Sequence, residues 1–302
     1  MRRLDGSELP AADRVFREAF GTVLGVALPA DTRLLATRLL ASHTTALAAY
    51  ADGELVGSNL MASWGSVAYF GPLSVAPKLW GSGLGARLVA AAVEVLDGWG
   101  AAHQGLFTFA QSPQHHRLYQ RFGFWPRFLT VIMSRSVTGA EPALGWRMSA
   151  AADRAALVAA CADVTGTINE GLDVRGEIAA VLDQRLGDVV LIGEPDAPRG
   201  FAVCHAGPGT EAGSGIAYVK FAAVRPGPGL ADAFAALVDA CLGYAAERGA
   251  ARLTLGVNTA RHEAYRQLLA MGFRTEVPGV TMHRPNEPGY DREDVRLLDD
   301  WR

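Results

Sequence analysis

The sequence predicts an α/β protein made of two tandem copies of one mixed domain, and three observations carry that expectation. Like residues recur 149 positions apart: Gly123-Phe124 with Gly272-Phe273, Val75-x-Pro77 with Val224-x-Pro226, and Gly100-Ala101 with Gly249-Ala250. Helical and strand periodicities follow one another in the same order in both halves. Between them, 136–144 carries Gly and Pro without periodicity and reads as a linker, giving domains over 1–139 and 146–302.

In the first copy, apolar residues at helical spacing predict helices over 8–20 and 31–40, the second opened by Asp31 as a cap. Strands follow over 45–50 and 55–64, joined into a hairpin by Ala51-Asp52-Gly53. A third strand, 66–75, contains Gly71-Pro72. Proline cannot donate to a ladder, so this strand must bulge or leave its neighbour there. A helix over 84–99 with alanine-rich faces, a buried strand over 106–110, a helix over 112–122 and a strand over 128–133 complete the copy. The second copy repeats the series: helices over 153–164 and 174–186, strands over 189–192, 200–206 and 216–224, a helix over 229–248, a strand over 251–257 and a helix ending at Met271.

Composition narrows the function classes. The chain has 302 residues, 50% hydrophobic and 20% charged, and its halves carry formal charges of +2 and −5 when divided at Gly145. Neither half is a polycation suited to nucleic acid. Cys161, Cys204 and Cys241 form an odd set without a CxxC and read as reduced core residues in a cytosolic protein, not as a disulfide frame or a zinc site. Leu88 to Leu96, the longest apolar run, is broken by Glu94, so neither a signal peptide nor a membrane span is expected.

Two segments carry chemistry. From Val75 to Leu88 the chain reads as a strand end, a glycine-rich turn and a helix start, which exposes consecutive N–H groups where the helix dipole is positive and so cradles an anion such as a pyrophosphate. It is not a Walker loop, because no Lys-Ser/Thr follows the last glycine. From Ser112 to Phe124, Ser-Pro fits a helix start and Gly123 its end, so that Ser112, His115 or His116, and Tyr119 can line one face. By itself such a tyrosine is more often core than catalytic.

Together the two segments resemble the GCN5-related N-acetyltransferase (GNAT) superfamily: Val75-x-Pro77 leading to Gly81-x-Gly83-x-Gly85, then Leu118-Tyr119 and Gly123-Phe124. The resemblance covers most of the first copy, with the second as a diverged module. It implies two tandem GNAT-like domains, each a mixed, mostly antiparallel twisted sheet flanked by helices, with acetyl-CoA as cosubstrate and no metal. Backbone groups of Gly81, Ser82, Gly83, Leu84, Gly85 and Ala86 would hold the pyrophosphate. Leu73 and Val75 would serve pantetheine and the thioester carbonyl, Ser112 stands where the family often has asparagine, and Tyr119 would protonate the departing thiolate. Trp80 replaces the family's usual Gln or Arg, which removes a side-chain contact and leaves the amide cradle.

Physical chemistry agrees with those roles. A thiol of pKa ~8.5 matches a phenol of ~10 as proton acceptor and donor, and a bulge at Gly71-Pro72 lets an amide point at a carbonyl. The base is missing. An alkyl amine of pKa ~10.4 costs about 4.6 kcal/mol to deprotonate at pH 7, yet 66–75 holds no carboxylate. Glu54 and His115 remain, each read more readily as a surface or packing residue. Trp64, Tyr69, Phe70, Trp125 and Phe128 are wall candidates for an acceptor pocket, with core the favoured reading for at least half of them.

In the second copy the 149 register sets Asp232 against Gly83 and Leu268 against Tyr119, and Pro226 and Pro228 carry no N–H. Anion binding and acid catalysis both read as lost there, with a structural role remaining; Asn258 reads as a cap and Tyr265 as packing. The tail, 286–302, has six acidic and three basic residues and is expected to be solvated, with Trp301 docked. The resulting expectation is a cytoplasmic N-acetyltransferase acting on a small-molecule or peptide amine, with no nucleic-acid or membrane partner, a homodimer being allowed. The competing expectation is a non-catalytic acyl-CoA-binding sensor.

Overall fold

The computed structural model describes residues 1–138, 145–194 and 197–302, so most of the expected linker lies outside the described residues. The first half runs β1 (Arg2–Arg3), α1 (Leu9–Leu24), α2 (Leu34–Leu39), β2 (Thr44–Ala51), β3 (Glu54–Trp64), β4 (Val67–Val75), α3 (Leu84–Gly98), β5 (His103–Phe109), α4 (Pro113–Gln120) and β6 (Trp125–Ser136). The second repeats it with β7 (Trp146–Arg147), α5 (Arg154–Gly166), α6 (Arg175–Asp183), β8 (Gly187–Glu194), β9 (Ala197–Gly207), β10 (Gly213–Val224), α7 (Leu230–Glu247), β11 (Arg252–Asn258), α8 (His262–Ala270) and β12 (Arg274–Arg284), then adds β13 (Leu297–Leu298). The repeat seen in sequence is therefore a repeat of elements.

Helix α3 forms where one stripe of its surface is apolar, whereas α7 is buried on every side from Ala240 to Ala245. In α3, Leu88, Val89, Ala92 and Leu96 are buried on one side, where they pack with Phe70 and Phe124. Each such Leu or Val contributes roughly 1.5–3 kcal/mol on burial. Helix α1 ends at Gly25, whose φ of 70° is the left-handed stop that glycine supplies without penalty.

The thirteen strands of the described residues form one sheet, antiparallel except where β4 meets β5 and β10 meets β11. Its order is β1-β2-β3-β4-β5-β12-β6-β11-β10-β9-β8-β7, with β13 on β10. The last strands of the halves are thus exchanged. Strand β5 pairs with β12 of the second half, from Phe109↔Gly279 to Gln104↔Arg284. Strand β11 pairs with β6 of the first, from Arg252↔Ser136 to Asn258↔Thr130. Serving a strand on either side is why β6 runs beyond the expected 128–133.

The loops are exchanged in the same sense. Ser66 N–H donates to Gly171 O (2.8 Å) and Asp173 N–H to Trp64 O (3.0 Å), while Arg33 N–H donates to Thr210 O (2.9 Å) and Gly209 N–H to Asp31 O (2.8 Å). Each half's β-turn grips the other half's helix–helix loop. At Gly65 (φ 68°) a Cβ would collide with Gly171 O, so the close approach requires glycine.

The tail corrects the solvated reading. Tyr290, Asp291 and every residue from Val295 to Trp301 are buried, and Trp301 docks flat on Tyr69, their rings stacked with centroids 6.1 Å apart. Its indole lies where a Cβ at Gly105 would stand. Glu287, Glu293 and Asp294 are exposed as expected, but the other three acidic side chains find partners inside: Arg261 meets Asp291 (2.9 Å) and Asp299, and Tyr218 donates to Asp300 (3.0 Å). Asn258, expected as a cap, is a buried clamp whose Nδ2 donates to Thr130 and Thr281 Oγ1 (3.0 and 2.8 Å), and Arg261 stands at the start of α8 instead.

Candidate active site

Strands β4 and β5 pair in parallel only from Val67↔His103 to Phe70↔Leu106. Beyond that, at Gly71-Pro72, β4 bulges against β3, where Met61↔Phe70 is followed by Asn59↔Leu73. The proline stands where its missing N–H predicts an interruption: beyond it β4 and β5 no longer pair, which leaves a gap between them. Ala76 N–H donates to Val56 O (2.8 Å), and ladder directions alternate along an antiparallel strand. The backbone groups of Leu73 and Val75 consequently face the gap and not β3. Trp80, exposed at the turn, closes one end by donating its Nε1–H to Val75 O (2.8 Å).

The gap leads to the glycine turn. Gly81 and Gly83 have φ of 81° and 85°, and open space surrounds the Cβ position of both. They are needed for the left-handed turn, and they keep the approach clear. Gly83 caps α3. Ser82 N–H turns inward to Leu79 O (3.2 Å), and Leu84 N–H makes a long contact with Ser82 Oγ (3.4 Å). The N–H groups of Gly83, Gly85 and Ala86 have no partner among the described residues, leaving a helix start with convergent donors. These features fit the phosphate and amide acceptors of a coenzyme A thioester.

Tyr119 stands on α4. Its ring is buried 5.8 Å from Phe70. Burial raises the phenol's pKa above the usual tyrosine range, against a smaller opposing effect of the Thr108 side chain on β5 beyond the parting. Ser112 accepts the His115 N–H at 3.4 Å as the cap of α4, which commits its hydroxyl. Burial, with His116 close by, pushes the His115 imidazole down.

The other candidates disperse. Glu54 is exposed at the hairpin. Trp64, Tyr69 and Phe70 are core, whereas Trp125 and Phe128 are exposed. Sequence reasoning missed Arg38, whose Nη1 donates to Gly71 O at the bulge (3.0 Å). Its guanidinium also holds Glu211 of the second half (2.7 Å), and Glu211 is held in turn by Lys220 (3.1 Å). One signal was present: Lys220 is one of two lysines in the chain, sits in the apolar run Ile216 to Val224, and stands 149 positions after Gly71.

The second half forms the equivalent gap and fills it. Strands β10 and β11 pair only as far as Val219↔Leu255, and β13 then pairs with β10 through Ala222↔Leu298 and Ala223↔Leu297. Val224 N–H donates to Arg296 O (3.0 Å). Ala222 and Val224 are the 149-register mates of Leu73 and Val75, so the tail lies on the backbone groups that face the gap in the first half. Arg261, the mate of Ser112, donates to Leu297 O (2.6 Å). The loop mapping also needs correcting. Helix α7 starts one turn earlier than α3 and is capped by Gly229 (φ 69°), so Gly229 is the counterpart of Gly83 and Asp232 lies exposed in the first turn. Arg199 occupies the Pro228 carbonyl (2.8 Å).

No group of three His, Cys, Asp or Glu side chains among the described residues is placed to hold a metal, and no described helix is long and apolar enough to cross a membrane. Comparison with known proteins gives the family model of the Acetyltransferase (GNAT) family over residues 12–124. No curated protein matches the sequence. Among solved structures, a putative acetyltransferase from Pyrococcus horikoshii is 14% identical with a TM-score of 0.66, over 99% of this chain and 94% of that one. A GCN5-related N-acetyltransferase from Sphaerobacter thermophilus is 17% identical, with a TM-score of 0.63 over 93% and 94%. A tandem GNAT protein from the clavulanic acid biosynthesis pathway is 14% identical, with a TM-score of 0.59 over 93% and 97%. At these identities the likeness is one of fold.

Proposed function

Starting from a tandem GNAT-fold chain whose residues 12–124 belong to the acetyltransferase (GNAT) family, we propose that its first half moves an acetyl group from acetyl-CoA to a primary amine by direct transfer, with Tyr119 as general acid. The observation that carries this reading is the gap of β4 and β5, faced by the backbone of Leu73 and the N–H of Val75 and leading to unpartnered amides at Gly83, Gly85 and Ala86. Leu73 and Val75 would hold the pantetheine arm and thioester carbonyl, and the turn from Gly81 to Ala86 the pyrophosphate. The bound cosubstrate supplies an activated thioester. The chain's residues orient it, exclude water, and hold a proton at the Tyr119 hydroxyl.

Burial keeps that phenol neutral across the physiological range. The same desolvation raises the pKa of a thiol leaving beside it, so donor and acceptor rise together. Titration with acetyl-CoA should give one site per chain, and an amine screen for thiol release from acetyl-CoA identifies the acceptor. The absence of a carboxylate on the free part of β4 favours a second reading, a non-catalytic acyl-CoA sensor. Tight binding without thiol release for any amine would select it, and failure to bind any coenzyme A species would sink both.

A further inference from the structure

The bulge at residues 71–72 is the least supported part of β4. Neither β3 nor β5 pairs with it, and Pro72 has no N–H. Among the described residues the one side-chain hydrogen bond on Gly71 or Pro72 comes from Arg38, whose Nη1 donates to Gly71 O (3.0 Å). The next amide along the chain, that of Leu73, faces the gap. Whatever fixes the Gly71 carbonyl therefore also fixes the direction of the Leu73 N–H, because the two are joined by a short run of restricted torsions.

Arg38 is not free to choose its position. Its Nε and Nη2 grip Glu211 Oε1 and Oε2 (3.1 and 2.7 Å), a bidentate pair that sets the guanidinium plane. The Glu211 side chain is 3% exposed and Lys220 holds it from the other side (3.1 Å). Both belong to the second half. Lys220 stands on that half's own bulge, where β10 shifts register against β9 between Val219 and Phe221. A line of contacts, Gly71 O to Arg38 to Glu211 to Lys220, thus ties the bulge of one half to the bulge of the other. Three fully buried ions are costly to keep without a role in position or specificity.

We propose that Arg38 is a positioning residue for the first half's thioester site, and that Glu211 and Lys220, supplied by the second half, set its orientation. The second half then completes the reactive centre without binding a cofactor of its own. This rests on the acetyl-CoA reading above and gives the diverged half a part in it.

The test is the infrared carbonyl band of acetyl-CoA labelled with carbon-13 at the thioester carbonyl, bound to the full chain, alongside calorimetric affinity for CoA itself. The parent should show a red-shifted carbonyl, reporting a well-aimed amide. Arg38→Lys keeps a cation beside Glu211 but cannot donate in two directions at the original reach, and should lose most of the red shift with CoA affinity within about twofold, a change too small to reflect lost phosphate or pantetheine contacts. Glu211→Gln should do the same. If single changes unfold the chain, the triple variant Arg38→Met, Glu211→Met, Lys220→Met removes the ions together and keeps the volume filled. An unchanged red shift in the folded variants, or a parallel loss of CoA affinity, overturns the proposal. A parent that binds no CoA overturns the transferase reading instead.

Discussion

In the first half, the backbone of Leu73 and Val75 faces a gap into which no strand of the described chain enters. In the second, Ala222 and Val224 face the equivalent gap, and residues 296–298 of the same chain lie in it. The comparison teaches what a gap inside a sheet costs. Unmatched ladder groups must find partners, and the second half supplies its own from the tail. Arg261 shows how far the replacement has gone: at the register position of a helix cap, Ser112, it has become the buried anchor of the tail.

The largest expected effect comes from removing that anchor. Arg261→Ala leaves Asp291 and Asp299 buried without their cation and should cost about 3–5 kcal/mol in urea unfolding. If this variant bound a second acetyl-CoA, the tail alone would be what closes the second half. The next is acid sensitivity. On β9, His205 faces Tyr218 where the first half has Ala62 facing Tyr69. Burial pushes His205 down to about 4. A lowered folded pKa means that stability present above the unfolded value near 6.5 is lost as pH falls toward 4, about 3 kcal/mol in all. His205→Ala, which makes the halves alike at this pair, should flatten the dependence of Tm on pH over that interval.

Smaller effects concern the open gap. Gly83→Asp sets a carboxylate at the free amides and should weaken acetyl-CoA binding by about 100-fold or more, whereas unchanged calorimetry would remove the turn from the site. Tyr119→Phe should lower kcat by about 10²-fold with affinity within a few fold; equal losses in both would mean packing damage. Asp232→Gly, in the exposed first turn of α7, should change neither stoichiometry nor affinity, and a gain of a second site would break the comparison.

Much of this was legible in the sequence. The repeat, the alternation of elements and the parting at Gly71-Pro72 follow from periodicity and from a missing N–H, which are local properties. What was not legible depends on choice of partner. Strands β6 and β12 share one burial pattern, an exposed start followed by five buried residues, and nothing in such a pattern states which neighbour a strand joins. The tail read as solvated because its carboxylates were visible and Arg261, Tyr218 and the Tyr69 face were remote in sequence. Asp232 was set against Gly83 because an ungapped register cannot show that α7 begins a turn earlier. Arg38 was passed over as one arginine among 26.

The exchange of β6 and β12 also imposes an order of events on a chain being made from its N-terminus. Strand β5 carries one wall of the first half's gap, and on the side away from β4 its ladder is completed by Gly279 to Arg284. The ribosome reaches those residues roughly ten to thirty seconds after β5 itself has been made. Until then β5 is a sheet edge and Leu106 and Phe107 have no neighbour on that flank, a state that invites pairing with another nascent copy.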